Sequence, residues 1–423
     1  MENRNPEQVE QTYQDARSRY KAYGIDTDAV LRKLGSVEIS MNCWQGDDVA
    51  GFEGADSITG GGILATGNYP GRARTVSELR QDAELAFSLI PGKQRFNLHA
   101  IYLDSDTAVD RDEIAPEHFA SWVDWARKLG IGLDFNPTFF SHDKAASGYT
   151  LASYEKSIRD FWIEHGKRCR EIAAYMGREL GSSCVNNLWI PDGSKDDTTD
   201  RLKRRELLVQ SLDEVFRQTL PAEQTLDAVE SKLFGIGSES FVVGSHEFYL
   251  AYALTRKLVL TMDAGHYHPT EGIAEKLSAL LPFMPKVLLH VSRPVRWDSD
   301  HVVLFDDATR AVGREIIRAD ALDRVILAVD FFDASINRII AWVVGLRSTT
   351  KSLLAAMLEP NELIREAEHS GKLGERLALL EEARTLPISA IWDKFCLEQG
   401  VPVGGEWIET VKSYEADVLT KRS

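Results

Sequence analysis

The sequence offers little sulfur. Four cysteines, Cys43, Cys169, Cys184 and Cys396, are spread over 423 residues. None stands in a CxxC pair, and no His/Cys spacing around them has the form of a zinc site. A disulfide framework is therefore not expected, and a reduced compartment is. Long apolar runs are missing too. No stretch approaches the roughly 20 residues that span a bilayer. The N-terminal "MENRNPEQVEQTYQDARSRYKAYG" is too polar and charged for a secretory signal. A cytoplasmic protein is the expectation. Nor is there a basic block. The formal charge is −16, and nucleic-acid backbones and anionic membranes both demand clustered Lys and Arg. Neither is an expected partner. No P-loop, no GxSxG elbow and no HExxH helix occurs, so the chemistries those motifs build are not indicated.

What is present is an alternation. Hydrophobic residues make up 43% of the chain, enough for a sizeable core. Short β-rich runs alternate with longer amphipathic ones. The strand candidates cover residues 37–44, 95–103, 132–140, 184–191, 225–233, 258–266, 286–294 and 323–333. Between them lie helical patterns such as "PEHFASWVDWARKLG" and "SIRDFWIEHGKRCREIAAYMGREL". Eight such βα units are what a TIM barrel, (β/α)8, requires. A doubly wound sheet is the competitor, but no GxGxxG follows the first strand. Past residue 345 the sequence reads as helices broken by Pro and Gly. The expected division is a barrel over 1–345, with its N-terminal helices, and a helical extension over 346–423.

Strands of such a barrel are buried on both faces and should be apolar. Here they carry polar groups toward their C-terminal ends: His99, Asp134 and Asn136, Asn187, Glu230 and Lys232, Asp263, His290, Asp330 and Asp333. Active sites of barrels lie at that end. Glu230, Asp263, His290 and Asp330 give three carboxylates and one imidazole from strands five to eight. Three such carboxylates do not stay ionised together without a cation. An oxygen-rich set with one imidazole suits Mn²⁺, Mg²⁺, Co²⁺ or Zn²⁺. An ion-pair cluster is the plain alternative, but it lacks arginines; only Lys232 is near. His266, just past strand six, and Asp298 and Asp300, in "VRWDSDHVV" after strand seven, offer a second cation site. A solvated turn is the rival reading of that segment. Lys232 either balances charge or donates to a substrate oxygen. His99 is either a core histidine or a substrate-binding acid/base group. Trp44, Trp189, Phe139, Phe140 and Trp297 fit a sugar-binding wall or core filling. His246 and the other histidines join no constellation.

At these residues the chain resembles the L-rhamnose isomerases. The stretches that carry the resemblance are "SMNCWQGDDV", "NLHAIYL", "LDFNP", "WIPDG", "AVESKLFGIG", "DAGHYHPTE", "LLHVSRPVRWDSDHVV" and "DFFDASINR". The resemblance implies a (β/α)8 barrel, a homotetramer and interconversion of the sugar L-rhamnose with L-rhamnulose, the first step of L-rhamnose catabolism. It implies a structural metal, Zn²⁺ or Mn²⁺, at Glu230, Asp263, His290 and Asp330. It implies a catalytic Mn²⁺ at His266, Asp298 and Asp300. It sets Lys232, His99 and Trp189 against the sugar, with Val49, Ile101, Tyr102 and Phe332 around its C6 methyl. Asp298, Asp300, Lys232, His99 and Asp330 are then the expected catalytic residues.

Aldose–ketose isomerisation moves one hydrogen between C1 and C2. A carboxylate base working through an enediol is one route; metals polarising both oxygens for a direct hydride shift is the other. Nearly every candidate carboxylate is committed to metal, which favours the hydride shift. The rivals are a metal-dependent hydrolase on the same barrel and a metal-stabilised sugar-binding scaffold.

Overall fold

The computed structural model describes residues 5–53, 65, 67–232, 240–268, 270–295 and 299–422. Eight parallel strands close into a barrel in chain order. They are β1 (Glu38–Asn42), β2 (Lys93–His99), β3 (Gly132–Asn136), β4 (Cys184–Trp189), β5 (Thr225–Glu230), β6 (Val259–Asp263), β7 (Val287–Val291) and β8 (Val325–Val329). All eight expected strands form, and each ends earlier than its apolar run. The reason is local. After β1, β2 and β6 the chain coils into single 3₁₀ turns, Cys43–Gln45, Ala100–Tyr102 and Ala264–His266. These turns bring the residues beyond each strand back over the barrel mouth.

Outer helices follow the strands, and their ends are written in the sequence. Thr75 caps Val76–Ser88 by accepting from the Glu78 amide. Gly130 and Gly181 end Ala120–Leu129 and Lys156–Leu180 in the left-handed conformation. Val185, Ala228, Val259, Leu288 and Ala328 pack together inside the barrel. Toward the N-terminal ends of the strands lies a buried ion pair, Arg95 bidentate to Asp134 at 2.9 Å, with Ser40 donating to Asp134 at 2.7 Å. Asp134 is therefore spent on closing the barrel interior, not on the site. Asp333 likewise turns away to accept from the Ser335 amide and hydroxyl.

The boundary expected at 345/346 falls inside one helix, Arg338–Met357. This helix packs on β1 and on the helices Val76–Ser88 and Asp307–Arg318, as the eighth outer helix of the barrel. Phe331 presses so close that a Cβ on Gly345 would lie 2.3 Å from its ring. Four further helices follow, Asn361–His369, Leu373–Ala383, Ile388–Glu398 and Glu406–Asp417. Ile388–Glu398 packs on Pro6–Lys21. Near the C-terminus Arg422 grips Asp82 at 2.6 and 2.8 Å. All four cysteines are buried free thiols. No described helix is long and apolar enough to cross a membrane.

Candidate active site

The register of the barrel brings the acidic residues to one level. Asp263 is the last residue of β6 and pairs with His290 on β7. Glu230 ends β5 beside Trp189 at the end of β4. Asp330 stands one residue past β8, its amide held by the Val291 carbonyl. Ligand atoms of Glu230, Asp263, His290 and Asp330 all lie within 4.8 Å of one another. His290 Nδ1 is 3.5 Å from Glu230 Oε1, 3.4 Å from Asp263 Oδ2 and 3.2 Å from Asp330 Oδ2.

Asp263, His266 and Asp300 form a second group of the same tightness. Asp263 thus belongs to both clusters, which the sequence reading had not foreseen. Asp298 and Trp297 lie outside the described residues. Gly265 makes the second cluster possible. A Cβ there would lie 2.0 Å from Asp300 Oδ1, so only a glycine lets the aspartate approach.

The chemistry of these atoms fits a cation. Glu230 Oε1, Asp263 Oδ2, both His290 nitrogens and Asp300 Oδ1 are buried, yet find no hydrogen-bond partner among the described residues. Buried polar atoms are rarely left so, and the residues that carry these belong to the two clusters whose ligand atoms converge. The remaining oxygens are held by the protein. Asn187 donates to Glu230 Oε2 at 2.6 Å, while its own carbonyl accepts from Thr261. Trp44 Nε1 donates to Asp330 Oδ1 at 3.0 Å. Asp263 Oδ1 accepts from the Gly265 amide and Ser292. Such outer partners aim the ligands and tune their basicity.

Crowding and burial shift the pKa values of these ligands in opposite directions. Burial, reinforced by Asp300, raises the Asp263 pKa well above the carboxylate range. Burial opposes a charged His290, but Glu230, Asp263 and Asp330 outweigh it and raise its pKa. Burial also opposes ionised Glu230, yet His290 and His266 keep it well below its usual value.

One cavity opens on both clusters. Glu230, His266, Asp300 and Asp330 line it together with Trp44, Phe140, Trp189, Val49 and Phe332. His99, Asn136 and Lys232 complete its polar lining. Burial pushes the His99 pKa down to about 3, so the ring is neutral. Its Nδ1 lies 3.2 Å from the Thr138 hydroxyl. Lys232 sits 4.9 Å over the Trp189 ring and 3.4 Å from His266 Nε2.

Ile101 and Tyr102 are not among the described lining residues. Both stand behind the loop after β1. The Tyr102 hydroxyl donates to Asp47 at 2.7 Å, and Asp47 accepts from the Gly51 amide. Ile101 lies against Gly51 and accepts from the Phe52 amide. That loop is strained. Asp48 and Val49 have φ of 64° and 61°, uncommon for any side chain and costly for a β-branched one. Arg338 holds Asp48 in place at 2.6 and 2.7 Å. The strain presents Val49 to the cavity. Sequence reading had no means to see it, because valine is the last residue expected there.

The model of the L-rhamnose isomerase (RhaA) family matches residues 7–422. An L-rhamnose isomerase of Rhodopirellula baltica is 56% identical over 415 residues, which are 98% of this chain and 97% of that protein. An L-rhamnose isomerase of Citrobacter koseri is 55% identical over 416 residues, 98% of this chain and 99% of that protein. One of Mannheimia succiniciproducens is 56% identical over 414 residues, with coverage of 98% and 99%.

Proposed function

The chain belongs to the L-rhamnose isomerase family, and from that premise we propose that it interconverts L-rhamnose and L-rhamnulose. The observation that carries this reading is the pair of clusters that share Asp263, both of which contribute residues to the lining of one cavity. Glu230, Asp263, His290 and Asp330 would hold a structural cation, Zn²⁺ or Mn²⁺. His266 and Asp300, joined by Asp298, would hold Mn²⁺ at the catalytic position. Divalent cations there supply the Lewis acidity that polarises adjacent sugar oxygens for a 1,2-hydride shift. The described carboxylates lining the cavity are Glu230, Asp300 and Asp330, and each is a cluster member. None is spare to act as the base of an enediol route.

The other residues bind and orient. Lys232 donates to a sugar oxygen from above Trp189. His99, held neutral, serves as a hydrogen-bonding partner and proton relay for the ring oxygen or O1. Trp44, Phe140 and Trp189 offer ring faces and edges to the pyranose. Val49 and Phe332 face the C6 methyl, and Ile101 and Tyr102 support Val49 from behind. Apolar contact there favours a methyl over a hydroxymethyl by the modest factor that such pockets allow. Family likeness supports a homotetramer in the cytoplasm. The hydrolase alternative wants a basic groove, and among the described lining residues Lys232 is the one basic group besides His99 and His266; it finds no support.

Chelated protein given L-rhamnose and Mn²⁺, Co²⁺, Zn²⁺ or Mg²⁺ in turn tests the reading by ketose detection. Absence of ketose with all four would overturn it. Wholesale deuterium incorporation during turnover in D₂O would sink the hydride route. Asp300→Asn should stay folded and lose turnover, whereas a sugar-binding scaffold would keep its function.

A further inference from the structure

His246 joined no constellation in the sequence. In the structure it closes a ring of three hydrogen bonds around His266. Ser231 Oγ is 2.5 Å from His246 Nδ1. His246 Nε2 is 2.9 Å from the His266 carbonyl. His266 Nδ1 is 2.9 Å from the Ser231 carbonyl.

Carbonyl oxygens only accept, so the direction of each bond is settled. His246 must carry its proton on Nε2, because that nitrogen faces the His266 carbonyl. Its Nδ1 then holds a lone pair and accepts the Ser231 hydroxyl proton. His266 must carry a proton on Nδ1, since both neighbours of that nitrogen, the Ser231 carbonyl and Glu230 Oε1 at 3.2 Å, are acceptors. The nitrogen left to take a cation is therefore Nε2. That nitrogen is turned to the second cluster, 3.7 Å from Asp300 Oδ2. The His246 ring is itself clamped, stacked on Tyr267 with centroids 4.1 Å apart and planes 15° apart.

We propose that Ser231 and His246 are positioning residues that present His266 Nε2, in one fixed tautomer and orientation, to the cation of the second cluster. The inference rests on the isomerase reading and names what aims its catalytic ligand. His246 starts the helix His246–Arg256, whose N-cap is Ser245. A helix end from one βα unit thereby orients a ligand of the next, across the end of β5.

The test is a Co²⁺ titration of metal-stripped full-length protein, followed by visible absorption and by equilibrium dialysis. The wild type is expected to take two equivalents. Ser231→Ala and His246→Phe should weaken the second equivalent by about tenfold or more and alter its visible bands, with the first unchanged. His246→Gln, whose amide can both donate to the carbonyl and accept from Ser231, should recover most of the loss. Far-UV circular dichroism shows whether each variant folds; Ser231→Ala removes one oxygen and keeps the test valid if His246→Phe does not fold. Second-site affinity and bands unchanged in the folded variants would overturn the inference and leave the isomerase reading standing. A wild type that takes only one equivalent would overturn both.

Discussion

Metal uptake should expel protons. Consider the protein stripped by a chelator. Three carboxylates of the first cluster have ligand atoms no more than 4.8 Å apart. At an effective dielectric of about 20, each pair of unit charges at that distance repels by about 3.5 kcal/mol. Three ionised pairs would cost about 10 kcal/mol, comparable to the whole stability of a domain. The site avoids this by binding protons. His290 takes one, because the carboxylates around it raise its pKa despite burial. Asp263 takes a second, because burial and Asp300 raise its pKa. Glu230 stays ionised. A divalent cation needs the carboxylates ionised and the imidazole neutral, so it displaces about two protons at this cluster. Calorimetric titration with Mn²⁺ at pH 7, in buffers of different ionisation enthalpy, measures this directly. The apparent enthalpy should vary with buffer at a slope of about two protons or more per protein. A slope below one would refute the charge accounting on which the metal assignment stands.

Three other outcomes follow from single contacts. Gly265→Ala would set a Cβ 2.0 Å from Asp300 Oδ1; displacing that carboxylate should cut kcat by about a hundredfold with little change in thermal midpoint, and near-normal kcat would show that Asp300 need not come so close. Asn187→Ala leaves Glu230 Oε2 without its 2.6 Å donor; first-cluster metal affinity, read by equilibrium dialysis, should fall about tenfold or more, and an unchanged affinity would deny Asn187 its role. His165, on Lys156–Leu180, is pushed down to about 3 by burial, then by Arg111, from an ordinary 6.5. It stays neutral when folded and charges when unfolded, so its contribution is complete above pH 6.5 and lost as pH falls toward 3. His165→Asn should flatten the fall of urea stability between pH 6.5 and 5 by about 1 kcal/mol per pH unit; parallel slopes would refute it.

The barrel and its clusters were legible because burial constrains them. A strand with both faces buried must be apolar, so His290 in "KVLLHVSRP" and Asp263 in "LVLTMDAGH" stand out as groups that need a partner. Parallel strands in chain order then place their C-terminal ends at one level, and convergence of Glu230, Asp263, His290 and Asp330 follows. Distances across the closed barrel do not follow. Asp134 has the same sequence signature as Asp263, but Arg95, four residues before the end of β2, claims it. Ile101 and Tyr102 follow His99 directly and still stand behind the loop instead of in the cavity, because the chain coils after β2. Val49 reaches the cavity only through a backbone strained by contacts with distant residues, Arg338 among them. His246 is silent in the sequence because its meaning is two hydrogen bonds, one to Ser231 and one to the His266 carbonyl. Residue type determined which groups can bind a cation. Which of them do, in which tautomer and from which side, is a matter of a few tenths of an ångström between segments far apart in the chain, and only the packed fold decides that.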